Sequence, residues 1–374
     1  MIFRKHKNDF ISKIEELKEY IKLTPREQKQ LKKVTERHPM LISKFYLSLI
    51  DFSDPNDPLR KMVIPSAAEL DISGTYDTSG ESVNTKLSGL QHKYDQTALI
   101  LSTNRCASYC RFCFRKRLVG LISKEVIRHF SHAVDYIKNH PEINNVLISG
   151  GDPFMLSTEI IGTFIELLAP IKHLQFIRFG TKTPVYYPKR FLEDKSLFEI
   201  LNKFSKDKLQ IYVVTQIDHA REITSELKEV VRRLLKAGVI ANNQTVFMRG
   251  VNDDPNVLAE LMKKLVATGI TPYYLFQCRP VKRVKKHFQI PLAQGIQIVN
   301  RAKAQLDGHS KRFHYVMSHK LGKIEIVGIR GDEIFFCFHQ AKDSSKTGKL
   351  FSRKLNPTGT WLDDFNNDKN KEST

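Results

Sequence analysis

The chain has 374 residues, 41% of them hydrophobic, which is enough for a sizeable core and argues against global disorder. Lys and Arg number 60 against 40 Asp and Glu, a net charge of +20 that attracts anions but carries no fold information. No apolar run approaches the ~18 residues that span a membrane, and the charged start MIFRKHKNDFISKIEELKEYIK lacks the apolar stretch of a signal peptide, so a cytoplasmic protein is expected.

Residues 1 to 50 read as helical, with Thr24 as N-cap and Pro25 at the first helical position. Residues 51–93 are rich in turn formers (SDPNDP, SGTYDTSGES) and read as a long irregular connection wrapping the main domain. From residue 94 short apolar runs alternate with amphipathic segments. Strands are predicted at 98–102, 145–149, 174–179, 209–214, within 239–248, and at 273–277. Helices are predicted between them, for example over 123–140 and 220–238. Strands separated by helices require parallel pairing with crossovers. Six such units up to residue 310 imply an α/β fold, a partial (β/α)6 barrel whose chemistry sits at the carboxyl ends of its strands. An open doubly wound sheet would want a GxGxxG after its first strand, and none is present. Residues 311–374 form a strand-rich segment (FHYVMS, KIEIVGI, EIFFCFH) followed by a polar tail. In that tail TWLDDF can dock as a short element, and the final NNDKNKEST reads as disordered.

The first predicted strand runs through Thr103-Asn-Arg into Cys106-Ala-Ser-Tyr-Cys110-Arg-Phe-Cys113. Thiolates suit iron–sulfur clusters and zinc. Three on one loop would hold a cubane [4Fe-4S] cluster and leave one iron open to a small molecule. The alternative is a zinc loop whose fourth ligand is remote. Ser149, Gly150, Gly151 and Asp152 end the second predicted strand. Glycines there allow a ligand to approach the backbone closely, and the Asp152 carboxylate can receive an ammonium group.

A CxxxCxxC loop on the first strand, with SGGDP on the second, resembles the radical S-adenosylmethionine (radical SAM) superfamily. Six segments are similar to lysine 2,3-aminomutases: GLQHKYDQTALILSTNRCASYCRFCFRKRLVG, DPNDPLRK, LISGGDP, TPVYYPKR, NNQTVFMRGVND and TPYYLFQC. The resemblance implies an isomerase in which a 5′-deoxyadenosyl radical takes hydrogen from an amino acid held on pyridoxal 5′-phosphate (PLP), followed by a 2,3-shift of the amino group. It also implies an electron donor such as flavodoxin or ferredoxin. It assigns Cys106, Cys110 and Cys113 to the cluster, and Ser149, Gly150, Gly151 and Asp152 to S-adenosylmethionine, with His219 and Gln244 as further cavity residues. It assigns Lys93, Tyr94 and Lys323 to PLP, with Lys323 the Schiff-base lysine and Lys320 its local competitor, and Arg115 to the substrate carboxylate.

The chain also departs from the family pattern. Thr97 replaces an arginine of the phosphate site. Arg279 and the neighbourhood of Val316 stand where lysine-specific members carry aspartates. Asp254 stands where a zinc cysteine belongs, so any homo-oligomer is expected to form without zinc. Lysine is therefore not the expected substrate, and Arg279 either receives an acidic or polar side chain or points to solvent. Two other readings follow: a radical SAM enzyme of the same family working without PLP, and a basic RNA-binding or RNA-modifying protein. Against the latter, no RNA-binding module or aromatic-interleaved basic motif is found.

Overall fold

In a computed structural model, which describes residues 6–205 and 209–365, the alternating pattern winds into one sheet. The tail expected to be disordered, 366–374, lies outside the described residues. Two short strands, β1 (Phe10–Ile11) and β2 (Ile42–Ser43), pair apart from it. The main sheet runs β3 (Thr85–Leu87), β4 (Leu90–Tyr94), β5 (Thr97–Thr103), β6 (Asn145–Gly150), β7 (Phe176–Thr181), β8 (Gln210–Thr215), β9 (Ile240–Phe247), β10 (Thr271–Gln277), β11 (His314–His319), β12 (Gly322–Arg330), β13 (Glu333–Ala341) and β14 (Leu350–Lys354). Spatial order follows chain order throughout. Pairing is parallel from β5 to β11 and antiparallel at both flanks.

A helix lies in each crossover: Phe130–Lys138, Thr158–Leu168, Lys195–Ser205, Ser225–Lys236, Pro255–Ala267 and Leu292–Lys303. Each buries one stripe. In Ser225–Lys236 the stripe is Leu227, Val230, Val231 and Leu234, spaced to face the sheet, and the Thr224 side chain caps its start. Asp254 does the same for Pro255–Ala267, accepting from the Asn256 and Val257 N–H groups. That accounts for an acid where the family pattern has a zinc cysteine.

Four features differ from the sequence reading. The parallel sheet has seven strands, because the FHYVMS segment joins β10 in parallel and not as part of a separate tail. The 51–93 segment is partly ordered into a helix, Pro58–Val63, capped by Asp57, and into β3 and β4, which extend the sheet edge. The predicted helix 123–140 begins only at Phe130. Before it, the Ile127 N–H is committed to the Leu101 carbonyl (2.8 Å) and Glu125 to Arg117 (2.8 Å). β14 is a half-exposed, charged edge strand without alternating apolar residues, so its pattern did not announce it. TWLDDF docks as expected, with Trp361, Leu362 and Phe365 buried. No helix among the described residues is long and apolar enough to cross a membrane.

Candidate active site

A cavity of about 300 Å³ lies toward the carboxyl ends of the parallel strands. Its wall includes Cys106, Cys110 and Cys113 on the loop after β5, Ser149 and Gly150 at the end of β6, and Gly151 and Asp152 just after it. Lys93, Tyr94 and Thr97 line it from β4 and β5, Gln244 and Lys323 from β9 and β12, and Arg279 from just past the end of β10. Residues more than 200 positions apart thus share one enclosed space.

The cysteine loop is held from outside by the N-terminal third of the chain. Tyr109 N–H donates to the Leu41 carbonyl and Arg111 N–H to that of Met62, both at 2.8 Å. Arg111 is fully buried and makes a two-point contact with Glu69 (2.8 and 2.7 Å), which also accepts from Lys116 Nζ (2.6 Å). Burial alone would raise the Glu69 carboxyl. The two cations override it and hold the group at about 2. Tyr186 OH lies 3.0 Å from Cys110 Sγ. Burial pushes all three thiols up, Cys110 to about 12, and the thiols Cys110 and Cys113 add to the shift at Cys106. Three free, enclosed thiols close enough to perturb one another need a cation to become thiolates. That donor set fits an iron–sulfur cluster.

The second loop is built by glycine. Gly150 sits at φ 118°, in the left-handed region. A Cβ at Gly151 would overlap the Arg105 carbonyl oxygen, whose acceptor pairs with the Asp152 N–H (2.7 Å). The Asp152 carboxylate does not present itself to a ligand ammonium. It accepts from Thr181 Oγ1 (2.7 Å), Lys182 N–H (2.7 Å), Thr183 N–H (2.8 Å) and Phe154 N–H (3.1 Å). Its role is to tie this loop to the end of β7, leaving the glycine backbone facing the cavity.

Six cations line the cavity, Lys93, Arg115, Arg178, Lys182, Arg279 and Lys323, against two carboxylates, Glu81 and Asp152. Lys182 is neutralised by Asp218 (2.7 Å) and Glu222 (2.9 Å). Arg115 donates to Glu81 (3.3 Å), Ser149 Oγ (3.1 Å) and the Gly150 carbonyl (3.2 Å). Lys93 Nζ donates to the Ser79 and His319 carbonyls (3.1 and 2.6 Å), and burial brings it down to about 8. Burial also pushes the Tyr94 phenol up. Arg279 donates to Ser79 Oγ (2.9 Å), lies 4.0 Å over the Phe114 ring, and is lowered to about 10 by burial. It therefore faces the cavity and not solvent. Lys323 Nζ sits 4.1 Å over the Tyr274 ring. Burial, then Arg178, Lys93 and Arg279, lower it to about 7, an amine poised to react at neutral pH. Lys320 is exposed, pairs with Asp363 (3.4 Å) and is absent from the wall, which removes it as competitor.

Two other sequence assignments shift. His219 does not line the cavity. Its Nδ1 accepts the Arg221 N–H (3.2 Å) and caps a short turn, while Gln216, three residues earlier on the same strand end, takes the wall position. Val316 is fully buried outside the wall, and Ser318, two residues on, lines it. Cys278 is buried yet also lines the cavity, and Cys337 does not. Sequence reasoning missed Arg178, at the centre of β7. Its Nη2 donates to Asn145 Oδ1 (2.5 Å), the atom that also accepts from Thr97, and its Nε is buried without a partner. An arginine on a strand pointing inward was the available signal. An orphaned guanidinium N–H beside a lowered lysine amine fits the phosphate and aldehyde of PLP.

Residues 100–262 match the Radical SAM superfamily. An Aquifex aeolicus protein provisionally named L-lysine 2,3-aminomutase is 42% identical over 340 residues, covering 91% of each chain. L-lysine 2,3-aminomutase of Clostridium subterminale is 37% identical, covering 80% of this chain and 71% of its own. Glutamate 2,3-aminomutase of Clostridioides difficile is 33% identical, covering 80% and 69%.

Proposed function

This chain belongs to the lysine 2,3-aminomutase family of radical SAM enzymes, and from that premise we propose that it moves the amino group of an amino acid with an acidic or neutral polar side chain between C2 and C3. The observation that carries the reading is that the Lys323 amine, lowered to about 7, shares one cavity with the three cysteines.

Cys106, Cys110 and Cys113 would hold the [4Fe-4S] cluster, and the Gly150–Gly151 backbone would hold S-adenosylmethionine. Lys323 would hold PLP, with Lys93, Tyr94 and Arg178 at its phosphate. Given an electron donor, these groups supply a 5′-deoxyadenosyl radical and a conjugated carrier for the migrating nitrogen. The protein's own part is placement and charge. Arg115, fixed through Nε by Glu81 and through Nη1 by Ser149 and the Gly150 carbonyl, would offer its Nη2 to the substrate carboxylate. Arg279 lies over the same Phe114 ring as Arg115 and supplies a second guanidinium to the pocket. An ammonium group there meets a half-buried guanidinium and is repelled, whereas a carboxylate or amide is attracted. Ser318, the nearest wall residue to the second aspartate position of lysine-specific relatives, adds a neutral hydroxyl. Glu81 keeps Arg115 and Arg117 oriented.

The test is anaerobic incubation of the cluster-loaded enzyme with S-adenosylmethionine, PLP and reductant, offering L-glutamate, L-glutamine or L-lysine. A β-amino isomer from glutamate or glutamine supports the reading. Faster turnover of lysine overturns the substrate assignment, and borohydride failing to fix a pyridoxyl group on Lys323 overturns the PLP assignment.

A further inference from the structure

Outside the cavity, on the three strands that follow β10, two histidines and a glutamate converge. His314 on β11, Glu325 on β12 and His339 on β13 present one ligand atom each, all within 4.8 Å of one another. His314 Nδ1 is already 2.9 Å from Glu325 Oε1, and the two imidazole centroids are 4.9 Å apart. The backbone is arranged to bring them together. Between β12 and β13 the register steps from Ile324 opposite Phe338 to Lys323 opposite Gln340, so His339 is the extra residue of a bulge. A bulge re-aims a side chain, and here it puts the imidazole beside the other two groups. None of the three residues lines the cavity.

We propose that His314, Glu325 and His339 bind a divalent transition-metal ion of the zinc type, at a site separate from the cysteine loop. Two imidazoles and a carboxylate are a common zinc donor set, with bonds of about 2.0–2.2 Å and a fourth position left to water. A tetrahedral ion of that size needs ligand atoms a little over 3 Å apart. The His314–Glu325 edge, at 2.9 Å, is within a few tenths of that, and no two of the ligand atoms are more than 4.8 Å apart. The sides of His314 and Glu325 that remain accessible, 44% and 28%, give the ion its entry and its water. His339 Nε2 lies 2.7 Å from Tyr274 OH, so Nδ1 would be the atom offered to the ion and the tyrosine would be its outer contact. Tyr274 in turn carries the Lys323 amine on its ring face at 4.1 Å. The ion would thus clamp three strands immediately behind the proposed PLP lysine. A second group, His92, His140 and Glu142, is less well arranged. His140 and Glu142 pair with each other two residues apart, and Glu142 is exposed.

The experiment uses cluster-loaded protein, so that the loop cysteines are occupied. It is equilibrated anaerobically with zinc chloride, passed through a desalting column and analysed for zinc and iron. The wild type is expected to retain one equivalent of zinc that His314→Gln and Glu325→Gln each lose, with iron content unchanged, and that His140→Gln keeps. Zinc is also expected to raise the Tm of the wild type but not of His339→Gln, and a circular-dichroism spectrum matching the wild type checks that each variant folds. No zinc retained by the wild type, or the same zinc content in wild type, His314→Gln and Glu325→Gln, overturns the proposal. Neither readout depends on aminomutase turnover, so loss of that activity and loss of this site are told apart.

Discussion

Lys323 offers the most direct physical test of the cavity. An ordinary lysine amine titrates near 10.5, and burial together with Arg178, Lys93 and Arg279 brings this one to about 7. At pH 7 about half of such amines are neutral, against roughly 3 in 10,000 for an unperturbed lysine, a difference of more than a thousandfold in available nucleophile. Competitive labelling of the PLP-free protein with a small acylating reagent, read by peptide mass spectrometry, gives the pH profile of each lysine. Lys323 is expected to label with a midpoint near pH 7, and exposed Lys320 serves as the internal comparison. Arg279→Gln removes one of the three cations, and because burial is the larger cause, the midpoint is expected to rise by less than about one unit. The folded amine releases its proton at lower pH than the unfolded one. The unfolded chain therefore binds more protons between about pH 7 and 10.5, and the contribution of Lys323 to stability rises with pH across that window. A Lys323 midpoint above pH 9.5 refutes the account of the cavity as enclosed and cationic.

Glu69→Gln leaves Arg111 and Lys116 buried without their shared carboxylate, and removal of one partner of a buried pair costs about 3–5 kcal/mol. Thermal unfolding is expected to fall accordingly, and the protein to hold less than its full iron after gel filtration. Because Glu69 is held at about 2 in the fold, its stabilisation is complete above the unfolded carboxylate range and is lost as pH falls from about 4.5 through 2, which acid titration of the wild type against Glu69→Gln measures. Gly151→Ala forces a Cβ onto the Arg105 carbonyl; calorimetric binding of S-adenosylmethionine to cluster-loaded protein is expected to fall at least tenfold with the cluster spectrum intact. Arg279→Asp reverses the charge at this point of the cavity wall, and the ratio of kcat/KM for lysine over glutamate is expected to rise.

The chain's radical chemistry was readable because its motifs are local: eight residues carry the cysteine loop and five the glycine turn. Six of the seven parallel strands were readable because each carries a short apolar run whose buried positions recur at a period of two, as in β7 and β9. The boundaries that failed depend on partners distant in sequence. Residues 123–129 have helical composition, but the Ile127 N–H is committed to Leu101. β14 gains its place only by pairing with β13. The same distinction applies within the site. His219 has the residue type expected of a ligand-binding position, yet its imidazole caps a turn. Asp152 has an ordinary acid's composition but is saturated by donors from β7 and the residues after it. Arg178 lies in an apolar run as a single inward arginine, and its importance appears only once Thr97 and Asn145 are seen beside it. Glu69, in a turn-rich stretch, showed no sign of anchoring a loop some forty residues on.

One cavity brings the cysteine loop and the proposed amino-acid site together. The most direct measurement uses glutamate or glutamine deuterated at C3, with cluster-loaded enzyme, S-adenosylmethionine, PLP and reductant. Deuterium is expected in the 5′-deoxyadenosine and in the β-amino product, and Lys323→Ala is expected to abolish both. Deoxyadenosine that carries no deuterium from any C3-labelled amino acid would contradict the account.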